Sequence, residues 1–329
     1  MATYKDIKGT SIEVVSSDPS NPVLGQIWYN STSQSLKGLG ASSVGAWSTG
    51  GNLGAGRYGL AGAGTQTAGL AVSGEASPGL TNATEEYNGS TWSGGGNLGT
   101  TRYGLVGTGT QTAGLVMGGK TTPNAATKTT ATEEYDGSSW TNGGALTTAR
   151  FFLGSAGTQT AGLAFGGDIT TASTAATEEY GGTSWTNGGN MGTAREALVG
   201  AGTQTAGLAI AGSPSGSNET NACEEYDGSS WTAGGTMSTA IRYLGGCGTQ
   251  TAALAFGGFG SSTPTQTEQY DGSSWTTLSA TLNTARLKLA GVGTQTSALA
   301  FGGSPRPSDA LTEEFNGAGS PTTVTLSGS

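Results

Sequence analysis

The side chains best placed to do chemistry in this chain are adjacent carboxylates. Glu85-Glu86, Glu133-Glu134, Glu178-Glu179, Glu224-Glu225 and Glu313-Glu314 repeat along it, and Glu268-Gln269 makes a sixth, altered copy. Paired carboxylates run general acid–base or glycoside-type chemistry when they face one another across a substrate. Neighbours on a strand point to opposite faces instead, and six near-identical copies suit architecture better than one catalytic centre. The expected role is structural, with one Glu of each pair meeting a repeated Arg between or within units. Other reactive groups are scarce. The chain has no histidine, which removes Ser-His-Asp and Cys-His nucleophile arrangements. Cys223 and Cys247 lie 24 residues apart without a CxxC partner, so they read as buried small thiols rather than zinc ligands or a redox pair. No Walker or Rossmann glycine pattern follows a strand and opens a helix. Neither enzymatic activity, nor a metal, nor a cofactor is expected.

The elements that carry these carboxylates repeat too. Gly-Thr-Gln-Thr occurs six times, with its glutamines at Gln66, Gln111, Gln159, Gln204, Gln250 and Gln295, in steps of 45, 48, 45, 46 and 45 residues. A period of about 40–50 residues without a helical pattern means stacked or radial β units. Arg57, Arg102, Arg150, Arg195, Arg242 and Arg286 precede the glutamines by 9, 9, 9, 9, 8 and 9 residues, and Trp47, Trp92, Trp140, Trp185, Trp231 and Trp275 end successive units. The Trp and Tyr residues are expected to pack between units. The glutamine turns are expected to bond their own loop backbone rather than a ligand.

Composition narrows the class. Of 329 residues 61 are Gly and 11% are charged, and the net charge is −9. Such poverty in large side chains suits disorder, but disorder does not hold Trp, Leu and Arg in register. No basic run or basic–aromatic patch is present, so nucleic acid is not an expected partner. No apolar stretch reaches membrane-spanning length, so membrane insertion is not expected. The amino terminus lacks the apolar core of a secretory signal, so folding in a cytoplasm is expected.

Residues 150–185 show one unit in outline. Arg150 opens Phe151-Phe152-Leu153-Gly154-Ser155-Ala156, short enough for an inner strand, and Gly157-Thr158-Gln159-Thr160 turns the chain into Ala161–Phe165. A Gly pair leads to a third strand over Ala176–Tyr180 and a fourth around Trp185. Sister copies carry Asp136-Gly137, Asp227-Gly228, Asp271-Gly272 and Asn88-Gly89 before the Trp strand, a signal for two-residue hairpins with both turn positions at positive φ. The sequence therefore predicts six blades of four antiparallel strands. The Trp47 strand has no inner strands before it, and the last unit lacks a Trp, so Trp47 is expected to complete the last blade. Thr322–Ser327 is the competing strand.

The order Arg, two apolar runs, Gly pair, Tyr strand, Trp strand resembles the kelch repeat over about residues 46–318. The resemblance implies an all-β fold: a six-bladed kelch-like β-propeller of four-stranded blades over 46–329, with a short N-terminal β-containing arm over 1–45. Some kelch-type rings hold copper through histidines, which this chain lacks. Asp136-Gly-Ser-Ser-Trp140 is similar to the sialidase Asp-box but is one residue short.

Two regions escape the repeat. Segments between the second and third strands change from unit to unit, and Lys120, Pro123, Asp168, Asn218 and Arg306 are their candidate ligand-loop residues. Same-type connections emerge on one side of a propeller, so these loops form a plausible recognition face. The arm carries Ser11–Val15, a turn through Asp18–Pro22 and Gly25–Asn30, followed by a Ser/Gly-rich link from Ser31 to Gly45. Its attachment candidates are Ile27, Trp28 and Tyr29. The run Asp18 to Asn30 followed by Leu36-Lys37, and the Thr-Glu-Glu-Tyr-Asp-Gly-Ser-Ser-Trp strings, resemble segments of tail-fibre and other virion proteins of bacteriophages, especially marine ones. That resemblance implies a non-enzymatic virion structural protein, assembled in the host cytoplasm. Its arm would bind other virion proteins, and its loops would meet a host-surface glycan or protein; a homo-oligomer is compatible with the sequence. The alternative is a cellular kelch-type interaction scaffold, with a glycan-active propeller enzyme a distant third.

Overall fold

The structure, a computed structural model, describes residues 12–20, 26–41, 45–122, 127–169, 172–214, 218–261, 264–317 and 321–325. Among these the only helical element is a 3-10 turn, Ser308–Ala310, and the rest of the regular structure is β. Five repeats each make a four-stranded antiparallel sheet with strands in chain order, and the sixth takes its fourth strand from the start of the repeat region, an arrangement that fits a β-propeller. In the clearest copy the strands are Gly154–Gly157, Gly162–Phe165, Thr177–Tyr180 and Trp185–Asn187, with Ala156 opposite Leu163, Leu163 opposite Glu179 and Tyr180 opposite Trp185.

Among the described residues, six such sheets lie within Ala46–Asn316. Their first strands, Ala61–Gly64, Val106–Thr110, Gly154–Gly157, Val199–Gly202, Gly245–Thr249 and Ala290–Thr294, each pack against the next, and the last packs against the first. Glycine and alanine dominate these strands because their backbones crowd one another; a Cβ at Gly200 would lie 2.2 Å from the Ser155 carbonyl oxygen. The second strands are buried except for a half-buried first residue in three of them, Ala113, Ala252 and Ser297. Core clusters span neighbouring sheets, as where Leu70, Val72 and Leu98 meet Leu105, Val116 and Tyr135. Ala46–Thr49 pairs with Thr312–Asn316, placing Trp47 opposite Phe315. The first strand of the repeat region thus completes the sheet begun by the last.

The competing strand has a different use. Pro321–Thr325 pairs with Ser35–Ala41 in a separate sheet with Ile27–Asn30 and Glu13–Val15. The chain divides into two compact units that are not two consecutive pieces. Residues 317–329 group with residues 1–45, and 46–316 form the other unit. The Ser/Gly-rich stretch expected as a link contains the strand Ser35–Ala41, because its alternation around Leu36 suits half-buried pairing.

Two local expectations are corrected. The first strand of the third sheet starts at Gly154, not at Phe151, because Phe152 has φ +50° and breaks the extended run. The Asp-Gly turns are four-residue loops, with Tyr135 opposite Trp140 and only Gly137 at positive φ. The Asp136 carboxylate sets them by accepting from the Ser138 and Ser139 N–H groups at 2.8 and 2.7 Å. These bonds hold its pKa well below the usual carboxylate range.

Candidate functional site

The glutamate pairs are consumed by the frame. The first Glu of each pair faces inward, and Arg57, Arg102, Arg150, Arg195 and Arg286, all fully buried, bind Glu85, Glu133, Glu178, Glu224 and Glu313 at 2.6–2.9 Å. Each pair lies within one repeat, the arginine standing just before its first strand and the glutamate on its third. Other guanidinium N–H groups reach backbone carbonyls, as from Arg150 Nη1 to Gly166 and Ala176, the buried Nε groups have no partner among the described residues, and the second carboxylate oxygen accepts a backbone N–H, as from Thr147 to Glu178 at 2.7 Å. Desolvation still pushes the arginine pKa values below their ordinary value, with the paired carboxylates opposing it. The second Glu points the other way and joins sheets. Tyr135 donates to Glu86 at 2.6 Å, Tyr226 to Glu179 at 2.5 Å, Tyr270 to Glu225 at 2.6 Å and Tyr87 to Glu314 at 2.5 Å, while Tyr180 donates to Glu134.

Exceptions to this pattern are matched in pairs. Phe315 replaces the tyrosine whose partner would be position 269, and there the second Glu is Gln269. In the fifth sheet the expected arginine, Arg242, is one residue out of register. Ile241, buried, occupies the arginine position, and Gln266 and Ser238 donate to Glu268 at 2.8 and 2.9 Å in its stead. Arg242 turns to Glu219 at 3.1 Å. The spacing of 8 rather than 9 was the trace of this change. Similarly, Trp indoles donate to a threonine of the neighbouring sheet, as from Trp140 to Thr84 at 2.9 Å. Trp275 meets Cys223 at that position instead, and burial is the main influence raising this thiol to about 11. Both cysteines are unpaired and buried.

The repeated glutamines do not bond within their own loops, as expected from sequence, but to the preceding sheet. Gln111 donates to the Gly69 and Tyr87 carbonyls at 3.0 and 2.7 Å, and Gln159, Gln204, Gln250, Gln295 and Gln66 make the corresponding pairs. They are latches between sheets.

What varies sits at the opposite end of the first strands. Two residues beyond the arginine position stand Gly59, Gly104, Phe152, Ala197, Tyr243 and Lys288, all at φ between +50° and +65°. Their backbones close a circle: Gly59 N–H donates to Lys288, Gly104 to Gly59, Phe152 to Gly104, Ala197 to Phe152, Tyr243 to Ala197 and Lys288 to Tyr243, at 2.7–2.8 Å. Glycine suits this left-handed conformation, but four of the six positions carry a side chain there, which costs roughly 1–2 kcal/mol each. Backbone in this sparsely populated region persists only where its surroundings over-determine it, here through the closed circle of bonds. One residue earlier, Tyr58, Tyr103, Phe151, Glu196, Arg242 and Leu287 bridge to the first residues of the variable loops, Glu75, Lys120, Asp168, Ser213, Phe259 and Ser304. The loops and this circle therefore share one face, around a cavity of about 120 Å³ at the channel mouth.

This mouth is aromatic and charged. Tyr58, Tyr103, Phe152 and Tyr243 form an arc of successive ring contacts, with centroids 5.8, 5.2 and 4.8 Å apart. The Lys288 ammonium lies 5.6, 5.5, 5.6 and 5.0 Å from those four ring centres. Burial pushes its pKa below the ordinary lysine value; Glu75 opposes that, while Arg242 and Lys120 add to it. Burial also raises Glu196, with Asp168 contributing.

The expected loop residues fall into place unevenly. Lys120 Nζ sits 3.8 Å from the Phe151 ring centre, and Asp168 takes an ion pair from Lys128 of the adjacent loop at 2.7 Å. These two loops are brought together. The Asn218 carbonyl accepts from Ser213 Oγ at 3.0 Å, and Arg306 pairs with Asp309 in its own loop at 3.3 Å. Pro123 lies outside the described residues. Lys288, Tyr58, Tyr103, Phe152 and Tyr243 were missed by sequence reasoning, although the variable column Gly, Gly, Phe, Ala, Tyr, Lys was legible two residues beyond the arginine position.

In the other unit the arm candidates divide. Trp28 is fully buried, Ile27 half-buried and Tyr29 exposed at 36% beside Val14 at 67%. Asp18 organises this unit by accepting from Trp28 Nε1 at 3.0 Å, Asn30 Nδ2 at 2.8 Å and Lys37 Nζ at 2.8 Å. Those bonds, Lys37 first, hold its pKa down at about 2.

No protein-family model matches the chain, and no curated protein matches it either.

Proposed function

We propose that this chain is a six-bladed, kelch-like β-propeller serving as a non-enzymatic bacteriophage virion protein, with its loop-bearing face for recognition and its terminal unit for assembly. One observation supports the recognition role above others. Within the frame, a departure at one position is answered at its partner, as with Phe315 and Gln269 or Ile241 and Gln266. Around the channel mouth, six equivalent positions carry five residue types, Gly, Phe, Ala, Tyr and Lys, on one shared backbone circle, with no matching change at a partner position. Side chains selected only for stability follow the first pattern; side chains selected for a ligand follow the second. The glutamate pairs, being occupied by arginine and tyrosine, supply no facing carboxylates for catalysis.

The assembly role rests on the sequence likeness of residues 18–37 to virion segments and on the unit that those residues build around Asp18. Exposed Ile12, Val14 and Tyr29 give this unit apolar surface to offer a partner. Because Pro321–Thr325 belongs to the same sheet, deleting residues 1–40 alone would orphan that strand. The test is mass spectrometry of purified particles made with the whole chain and with a chain of residues 45–317. The whole chain is expected in particles, and the shortened one folded but absent from them. Absence of the whole chain from particles overturns the virion reading.

A further inference from the structure

Within residues 46–316 the cations divide cleanly. Five arginines are consumed in the buried glutamate pairs. The other five, Lys120, Lys128, Arg242, Lys288 and Arg306, lie on the mouth face or in its loops. Lys128, Arg242 and Arg306 have carboxylate partners. Lys120 and Lys288 are the exceptions. Among the described residues neither ammonium has a carboxylate within 4.0 Å, and both rest against aromatic rings. In a chain of net charge −9, lysines without acid partners are not explained by a shortage of acids. A ring face stabilises an ammonium from one side and accepts none of its strong N–H bonds.

We propose that the channel mouth is a binding site for a carboxylate-bearing saccharide, with the carboxylate on Lys288 and Lys120 and the sugar ring against the aromatic arc. Tyr58, Tyr103, Phe152 and Tyr243 are half-buried, so each keeps surface for an apolar sugar face. Glu75, Glu196 and Arg242 interleave acceptors and a donor among those rings, which suits a polyhydroxylated ligand. An acidic peptide fits less well. Peptide capture by strand addition needs unpaired backbone groups, and here the circle of six bonds and the bridges to the loops engage the backbone. The inference rests on the recognition role proposed above and names its ligand class.

The experiment is isothermal titration of the full chain with a hexuronate oligosaccharide, with its carboxyl-reduced neutral counterpart, and with a poly-glutamate peptide. The uronate should bind at least about tenfold more tightly than the neutral oligosaccharide, since a charge-assisted bond is lost with each carboxylate. Lys288→Met should weaken uronate binding by about tenfold or more while leaving the unfolding midpoint equal or higher, because a desolvated charge is removed. Lys120→Met, at the loop edge, reports the same loss should Lys288→Met fail to fold. Equal affinity for the two saccharides, no saccharide binding, unaltered binding by the variants, or preference for the peptide would overturn the ligand class. Any of these, with the chain still found in particles and its loops still needed for adsorption, leaves the recognition role standing. Uronate binding by a chain absent from particles overturns the virion reading alone.

Discussion

The two ends of the first strands follow opposite rules. At the Gly-Thr-Gln-Thr end, every repeat spends the same glutamine on the same two carbonyls of the preceding sheet. At the channel mouth, every repeat makes the same backbone bond, but two leave it bare with glycine and the other four mount four different side chains on it. Uniformity at one end and variety at the other, on one scaffold, separates what holds the molecule together from what it presents. The lesson is that repetition locates stability, and an uncompensated break in repetition is where the proposed recognition role is assigned.

The comparison can be attacked first through the whole frame at once. Tyr87, Tyr135, Tyr180, Tyr226 and Tyr270 are each raised to about 12, by burial first and the adjacent glutamate next. An unfolded tyrosine ionises near 10. The folded state therefore keeps protons that the unfolded state releases, so stability is full below pH 10 and falls as pH rises through 10 to 12. Cys247, raised to about 12 by burial, acts in the same direction from pH 9. Denaturant unfolding at pH 8, 10 and 11 should show a flat start and a steep loss. An unchanged midpoint at pH 11 would refute the frame role of these phenols.

The next largest effect is local. Arg150→Ala strands Glu178 in a buried site and should cost about 3–5 kcal/mol by denaturant titration. The fifth sheet supplies its remedy. Arg150→Ile with Ala176→Gln copies Ile241 and Gln266, and should recover a large part of that loss. Recovery of nothing would mean that the fifth sheet is merely tolerant. Tyr180→Phe leaves the half-buried Glu134 carboxylate short of a donor, at about 1–3 kcal/mol, and adding Glu134→Gln should restore most of it, as Phe315 and Gln269 do. At the mouth the sign reverses. Ala197 sits at φ +53° where sister copies have Gly59 and Gly104, so Ala197→Gly should stabilise by about 1 kcal/mol. A loss there would show that the variable circle is tuned for packing after all.

Much of this was legible in the sequence. The period, the strand order and the closing role of Trp47 follow from spacing alone, because four short strands and their turns fix the length of a unit. Arg242 misled because identity was read where register was needed; Ile241 at the correct spacing is apolar and gives no signal by itself. The glutamines were misassigned because a turn sequence describes its own loop and is silent on the carbonyls of a strand some 45 residues earlier. Phe152 looked like strand since its φ is imposed by the circle of bonds, a contact between repeats that no local propensity encodes. Of the candidate site, the loops were visible as variation, whereas Lys288 and its rings come from five different repeats and meet only in the closed fold. The C-terminal strand was seen as a strand, but its partner across nearly the whole chain was not.

The most direct measurement of the central claim replaces all six variable loops of the full chain with Gly-Ser links and follows particle adsorption beside thermal unfolding. The account predicts a midpoint within about 5 °C of the parent, a shift worth only about 1–2 kcal/mol in a chain of this size, normal incorporation into particles, and adsorption lost. Adsorption at the parental level with all six loops replaced would contradict it.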